Sequence, residues 1–146
     1  MSDAVLTGVH HVKFAVRDLE KSIEWYERVF GFKAELEFPD EDGVVRGVAG
    51  PVPGLGDTGL ALRQNPEVAG FNGFDPVSFG IADEAAAHAW AAHLDELGVE
   101  HSGVQNASIG WILVFHDPDG TEIHLYSFAA HGIDTSKMAG HARPRR

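Results

Sequence analysis

The sequence has no cysteine, few basic residues and no long apolar run. Without cysteine, the chain has no disulfide, no thiolate metal site and no cysteine nucleophile. The formal net charge of -11 comes from 11 basic and 22 acidic residues. A surface of this sign repels a phosphate backbone, so nucleic acid is not an expected partner. Any metal would have to be bound by histidine, carboxylate or water.

The absence of apolar runs also argues against a membrane partner. No run of about 18 apolar residues is present, which is the length that a membrane-spanning helix needs. Residues 1–12 lack the basic-then-apolar order of a secretory signal. We therefore expect a cytoplasmic protein. Its 146 residues, 44% of them hydrophobic, suit a single domain over residues 1–146 with its own core.

An internal repeat is present in the chain. Residues 12–18 (VKFAVRD) match residues 77–83 (VSFGIAD) in their apolar positions and in the final aspartate. Each segment alternates with period two, as a strand with one packed face does. Each aspartate, Asp18 and Asp83, is placed to cap a helix that follows. The repeat therefore predicts two strand–helix units.

Helical spacing follows both aspartates. The first helix is predicted over residues 19–30 and the second from about Glu84, with Gly31 and Gly98 ending them. The apolar residues of each helix recur at intervals that place them on one side. The predicted buried stripes are Leu19, Ile23, Tyr26 and Phe30 in the first helix, and Ala86, Trp90, Leu94 and Leu97 in the second.

Each of the two repeat units ends in a strand pattern. Residues 58–63 correspond to residues 121–126, and the turn sequence DPDG at 117–120 predicts a hairpin of residues 111–116 with 121–128. Dense glycine and proline predict a loop between residues 38 and 56 that covers the binding site. The first module spans residues 8–66 and the second residues 70–128. Residues 129–146 lack periodicity and are interpreted as a frayed C-terminal tail.

Alternation within the strands places ionisable groups on one face of each sheet. His11 and Lys13 lie opposite the apolar set that includes Phe14. In the last strand, Glu122, His124 and Tyr126 lie opposite Ile123 and Leu125. Titratable groups gathered in a concavity are typical of a catalytic or binding site, although a solvated sheet face gives the same pattern. The other histidines, including His10 and His116, are assigned no chemistry. We interpret Trp111, Phe115, Tyr126 and Arg63 as candidate ligand-binding residues.

Two motifs carry a resemblance to a known family. The stretch HHVKFAVRDL at 10–19, followed by Ser22, Trp25-Tyr26 and Gly31-Phe32, resembles the opening motif of the vicinal-oxygen-chelate superfamily, which includes glyoxalases, bleomycin-resistance proteins and extradiol dioxygenases. The DPDG turn with its following strand resembles the same family, so the likeness covers roughly residues 8–128. It implies an α+β fold in which two tandem βαβββ modules form a cup-shaped mixed sheet with the helices outside. Members often build each cup from two chains, so a homodimer is expected.

The resemblance also implies a divalent metal at four strand positions. Here these positions hold His11, Ala61, Pro76 and His124. His11 and His124 can bind iron, nickel, zinc or manganese if other oxygens complete the shell, whereas Ala61 and Pro76 have no side-chain donor. Glu122 and Asp75 lie near these positions without occupying them.

Three functions on a small-molecule substrate or ligand remain open, besides a dimer-forming scaffold without chemistry. The first is a metal-assisted lyase, isomerase or dioxygenase, in which His11 and His124 hold the ion and Glu122 or Lys13 moves protons. The second is a metal-free protein that sequesters a compound, for which the acidic surface and the aromatic strand Trp111 to Phe115 favour a planar or cationic ligand. The third is a metal-free acid/base isomerase that uses Glu122, His124 and Lys13. The two histidines at family ligand positions favour the first by a small margin.

Overall fold

The computed structural model describes residues 4–145, which divide into two compact units. Unit 1 runs to Asn72 and includes the turn Pro118–Gly120, whereas unit 2 contains Gly73–Asp117 and the chain from Thr121 onward. Each unit contains one α-helix and one four-stranded mixed sheet. The predicted α+β class with two βαβββ modules is confirmed.

Unit 1 contains β1 (His11–Val16), α1 (Leu19–Phe30), β2 (Leu36–Pro39), β3 (Val45–Gly50) and β4 (Gly59–Gln64). Its strand order is β1-β4-β3-β2, with β1 parallel to β4 and the other pairs antiparallel. The prediction of a loop between residues 38 and 56 is therefore wrong for Val45–Gly50, which form strand β3. Gly50, at the end of β3, serves close packing instead, since a Cβ added there would overlap the carbonyl oxygen of Lys33.

Helix α1 begins and ends as its sequence predicts. The Asp18 side chain accepts a hydrogen bond of 3.1 Å from the Lys21 backbone N–H, and Gly31 ends the helix with φ at 73°. The buried face differs in part from the predicted stripe, since Ile23 and Phe30 are only half-buried. The residues that α1 buries are Leu19, Ser22, Trp25, Tyr26 and Val29. Phe14 of β1 stacks on Tyr26 with ring centroids 5.5 Å apart, so the core lies between the helix and the sheet.

Unit 2 contains β5 (Ser78–Ile81), α2 (Glu84–Glu96), β6 (Gln105–Asn106), β7 (Gly110–His116) and β8 (Glu122–Ala130). A short 3₁₀ segment, Ala69–Gly73, precedes β5 in the chain. The strand order is β5-β8-β7-β6, which matches that of unit 1 element for element. The predicted hairpin is confirmed by the antiparallel pairing of β7 with β8. The Asp117 side chain closes its turn by accepting a hydrogen bond of 2.9 Å from the Thr121 backbone N–H.

Helix α2 is capped by Asp83, which accepts a hydrogen bond of 3.0 Å from the Ala86 backbone N–H. It ends at Glu96, and Gly98 follows in the left-handed conformation with φ at 70°. Its fully buried residues are Ala87 and Leu94. The predicted stripe is therefore correct only at Leu94, since Ala86, Trp90 and Leu97 are half-buried. Neither helix within residues 4–145 has the length and apolar character that a membrane crossing requires.

The interpretation of the C-terminal residues as a frayed tail is wrong for residues 131–142. His131 Nε2 lies 2.6 Å from the carbonyl oxygen of Ala107, and the Thr135 hydroxyl donates to the carbonyl of Ser108 at 2.8 Å. The Ala142 backbone N–H donates to the Ser108 hydroxyl at 2.8 Å. These polar contacts hold the segment against the loop between β6 and β7. Because the contacts are not apolar, they produce no apolar periodicity in the sequence from which they could be predicted.

Candidate binding cavity and metal-ligating cluster

One face of the unit 1 sheet carries a cavity of about 640 Å³. The strand register sets its floor, because residues paired across neighbouring strands project to the same side. One row reads Lys13, Ala61, Ala49 and Leu36 across β1, β4, β3 and β2, and the next reads Ala15, Arg63, Gly47 and Phe38. The two central strands thus contribute glycine or alanine at most of these positions. The short side chains in the middle of the sheet form the floor of the cavity, and the longer side chains of the edge strands form its sides.

Apolar side chains form much of the cavity wall. Leu36 and Phe38 are 61% and 50% exposed, although both are large hydrophobic residues. Pro51 also lines the cavity. The volume lies within the range of about 300–1,000 Å³ that is usual for small-molecule sites. This face therefore carries a concavity of the size that small-molecule sites usually have.

His11 lies at the start of β1 and lines the cavity, as does its neighbour His10. Their Nδ1 atoms are 3.0 Å apart, so the N–H of one ring donates a hydrogen bond to the other ring. This contact leaves the Nε2 atom of His11 for a ligand or a metal. Sequence alternation assigned no role to His10, but alternation applies only within a strand and His10 precedes it.

Arg63 is held at the cavity wall by Asp40. Its two terminal nitrogens donate to the two carboxylate oxygens of Asp40 at 3.0 and 3.1 Å, and Arg46 donates to Asp40 at 2.8 Å. Arg46 also pairs with Asp42 at 2.9 Å. The hydrogen bonds from Arg63, and then from Arg46, hold the pKa of Asp40 below its ordinary value. The charge of Arg63 is therefore balanced, and its guanidinium group lies over Gly47.

Unit 2 contains a separate cluster of possible metal ligands. Glu122 and His124 lie on β8, and Asp75 lies before β5. His124 Nε2 is 2.6 Å from Glu122 Oε2, and His124 Nδ1 is 3.5 Å from Asp75 Oδ2. One ligand atom from each residue lies within 4.8 Å of the others. His116 Nε2, 3.6 Å from Glu122 Oε1, lies at the edge of the same cluster.

The donor chemistry of this cluster fits a divalent cation. One imidazole and two carboxylates suit zinc, manganese, iron or nickel. Pro76 has no donor, but the neighbouring Asp75 brings a carboxylate to His124. In unit 1, Ala61 is part of the cavity floor and supplies no ligand. The predicted metal pair of His11 and His124 is divided between the two units and stays a prediction.

The candidate ligand-binding residues of unit 2 have different surroundings. The Tyr126 hydroxyl accepts hydrogen bonds from the backbone N–H groups of Ile109 and Gly110, at 3.0 and 3.3 Å. Trp111 is half-buried, with its ring 5.9 Å from that of His131. Phe115 is 1% exposed and pairs with the buried Ile123. Phe115 therefore belongs to the core, on the face opposite His124, which corrects its interpretation as a pocket residue.

Sequence reasoning missed the apolar wall and the ion pair of Arg63. The alternation of Leu36, Glu37 and Phe38 was a strand signal, but the dense glycines that follow it concealed the sheet to which it belongs. The role of Asp40 carried no sequence signal, because it depends on the turn between β2 and β3.

Comparison with known proteins identifies the family. The model of the Glyoxalase/Bleomycin resistance protein/Dioxygenase superfamily matches residues 8–125, and the chain belongs to this superfamily. Among curated proteins, it is 26% identical over 126 residues to the "Putative ring-cleaving dioxygenase MhqA" of Bacillus subtilis (strain 168). That match covers 82% of this chain but only 40% of the relative, so the chain spans less than half of that protein's length.

Solved structures show the same fold. TnmS3, an antibiotic binding protein from Streptomyces sp. CB03234, is 28% identical, with a TM-score of 0.69 over 85% of this chain and 98% of that chain. A lactoylglutathione lyase from Agrobacterium tumefaciens has a TM-score of 0.68 over 88% of this chain and 98% of that chain. The latter is only 18% identical, so its likeness is one of fold alone.

Proposed function

We propose that the protein binds a small organic molecule with an apolar body in the unit 1 cavity, and that this binding requires no metal. The observation that carries the proposal is the cavity itself, with its alanine and glycine floor between the exposed apolar side chains of Leu36 and Phe38. Apolar groups left open on a sheet face are stabilised when a ligand removes them from water. The position of Ala61 on that floor supports binding over metal chemistry in unit 1, because a methyl group makes room for a ligand and offers no donor.

The likeness to an antibiotic binding protein supports the same proposal. TnmS3 is 28% identical to this chain, and the match covers nearly all of that protein. Binding in this chain would then sequester or carry its ligand, as in the metal-free alternative considered from the sequence. We also propose a homodimer, in keeping with the family resemblance, and sedimentation equilibrium tests it.

Filling the cavity tests the proposal. N-phenyl-1-naphthylamine is a neutral aromatic probe whose fluorescence rises when it leaves water. Ala61→Phe and Ala49→Phe place a ring on the cavity floor and are each expected to weaken its binding at least about tenfold, equivalent to about 1.4 kcal/mol. Ala34→Phe adds the same ring at an exposed site outside the cavity and serves as the control. Binding that neither floor variant weakens would exclude this cavity as the site.

A metal-assisted enzyme is the second candidate function, and the Asp75, Glu122 and His124 cluster favours it. A divalent ion held there would polarise oxygen atoms of a bound molecule. Glu122 lies within hydrogen-bond distance of His124, so a proton can move between these two residues. The relation to the dioxygenase-type relative supports this candidate less, because the chain spans only part of that protein.

Metal content separates the possible ligand sets. Protein purified without an affinity tag is analysed for iron, nickel, zinc and manganese, together with His124→Ala, His11→Ala and His88→Ala as a control on the exposed face of α2. Metal lost only in His124→Ala would support the unit 2 cluster. Metal lost in both His124→Ala and His11→Ala would support the family pair. Metal-free protein, even after incubation with these ions, would contradict the enzyme candidate.

A further inference from the structure

The ionisable residues of the unit 1 cavity differ from those of the whole chain. The sequence has twice as many acidic as basic residues, yet Asp57 is the one acidic residue that lines the cavity within residues 4–145. Lys13, Arg63, His10 and His11 line it as well. Lysine and arginine therefore outnumber acidic side chains in the lining by two to one, which is the reverse of the ratio in the whole chain. This contrasts with the cationic ligand that the acidic composition favoured.

Lys13 is the basic residue whose charge is not balanced inside the cavity. The positive charge of Arg63 is balanced by the carboxylate of Asp40, to which it donates two hydrogen bonds. Lys13, in contrast, is exposed and forms no ion pair or side-chain hydrogen bond with any residue in the described part of the chain. Asp57 belongs to the loop before β4, at the end of the cavity where Gly59 pairs with His11. An anionic group that enters the cavity therefore meets an uncompensated ammonium group.

The position of Lys13 suits a molecule with two parts. Lys13 pairs with Ala61 across β1 and β4, and that row continues through Ala49 to the exposed Leu36. A flat apolar body that lies on the alanines would contact Leu36 at one end and reach Lys13 at the other. Each sheet spacing is about 4.8 Å, so the three spacings of this row span about 14 Å. That length accommodates a fused or linked pair of aromatic rings.

We propose that Lys13 binds an anionic group of the ligand, so that the cavity selects organic anions with an aromatic body, such as aromatic carboxylates, sulfonates or phenolates. This inference rests on the proposed function, since it names the ligand class of the same cavity. It gives Lys13 a role in specificity in place of the proton transfer considered from the sequence. A charge-assisted hydrogen bond of this kind is stronger than a neutral one.

Two probes that differ by one sulfonate test the inference. 8-Anilinonaphthalene-1-sulfonate has the rings of N-phenyl-1-naphthylamine and one added negative charge. Lys13→Met removes the ammonium group and keeps a chain of similar length. It is expected to weaken binding of the sulfonate about tenfold and to leave binding of the neutral probe unchanged within about twofold. Lys13→Arg restores the charge and is expected to restore sulfonate binding.

The control for a general charge effect is Lys21→Met, which removes the same charge from an exposed site on α1. It is expected to change neither dissociation constant. Equal binding of the sulfonate by Lys13→Met and wild type would overturn the inference while leaving the proposed function intact, provided that Ala61→Phe weakens both probes. If neither probe binds the wild type, or if Ala61→Phe affects neither, the proposed function and this inference both fail.

Discussion

Asp40 and Arg63 form a bidentate ion pair beside the unit 1 cavity, with hydrogen bonds of 3.0 and 3.1 Å. The pair fixes a guanidinium group over Gly47 and cancels its charge. The cavity therefore has one basic group that is neutralised, Arg63, and one that is not, Lys13. This difference makes the ligand preference of the cavity adjustable by single substitutions.

Asp40→Asn is expected to tighten binding of 8-anilinonaphthalene-1-sulfonate by a factor of about two to five. The substitution leaves Arg63 with an unbalanced positive charge next to the ligand. Binding of the neutral N-phenyl-1-naphthylamine is expected to stay the same. Fluorescence titration of both probes measures the two effects. The control is Asp42→Asn, because Asp42 contacts Arg46 and not Arg63. An equal gain in both variants would mean that only the net charge matters.

The same ion pair predicts a dependence of stability on pH. Its hydrogen bonds lower the pKa of Asp40 from the ordinary value of 3.8. A carboxylate with a lowered folded pKa stabilises the protein fully above its unfolded pKa, and this contribution is lost as the pH falls through the folded pKa. The urea midpoint of the wild type is therefore expected to fall as the pH is lowered from about 5 to about 2, and that of Asp40→Asn is expected to fall less.

The control for this pH experiment is Glu41→Gln. Glu41 lies in the same turn and forms no ion pair with any residue between 4 and 145. Its variant is expected to follow the wild type. A fall in the Asp40→Asn midpoint as large as that of the wild type would show that the acid sensitivity arises from other carboxylates.

Arg17 and Asp119 connect the two sequence motifs of the chain within unit 1. The Arg17 backbone N–H donates to Asp119 Oδ1 at 3.0 Å, and its guanidinium group donates to the Asp119 carbonyl at 3.1 Å and to the Ala69 carbonyl at 3.3 Å. Arg17→Ala is expected to lower the free energy of unfolding by about 1 kcal/mol, a modest value because its side chain is half-exposed. Urea denaturation measures this loss. Arg28→Ala, an exposed site on α1, is expected to change stability little.

The sequence was sufficient where local rules determine structure. Asp18 and Gly31 bound α1 as predicted, because capping depends on a few adjacent residues. The alternation around His124 was also correct, since Ile123 and Leu125 are buried while Glu122 and His124 are half-buried. The repeat then placed these elements in two modules.

The sequence was insufficient where structure depends on partners that are distant in the chain. Strand β3 is rich in glycine, and its pairing with β4 overrides the low strand propensity of its residues. The cavity floor consists of Gly47, Ala49 and Ala61, small residues that are informative only when the strand register is known. The sequence pattern predicts the wrong face for Phe115, because that face depends on the pairing of Phe115 with Ile123 across the hairpin.

The central claim is that a small apolar molecule binds in the unit 1 cavity. The most direct test is to map amide chemical-shift changes in isotope-labelled protein titrated with N-phenyl-1-naphthylamine. We predict the largest changes on the cavity strands, at Gly47, Ala49, Gly59 and Ala61, with saturation at one probe per chain. Changes centred on the Asp75, Glu122 and His124 cluster, or no saturable change at all, would contradict the account.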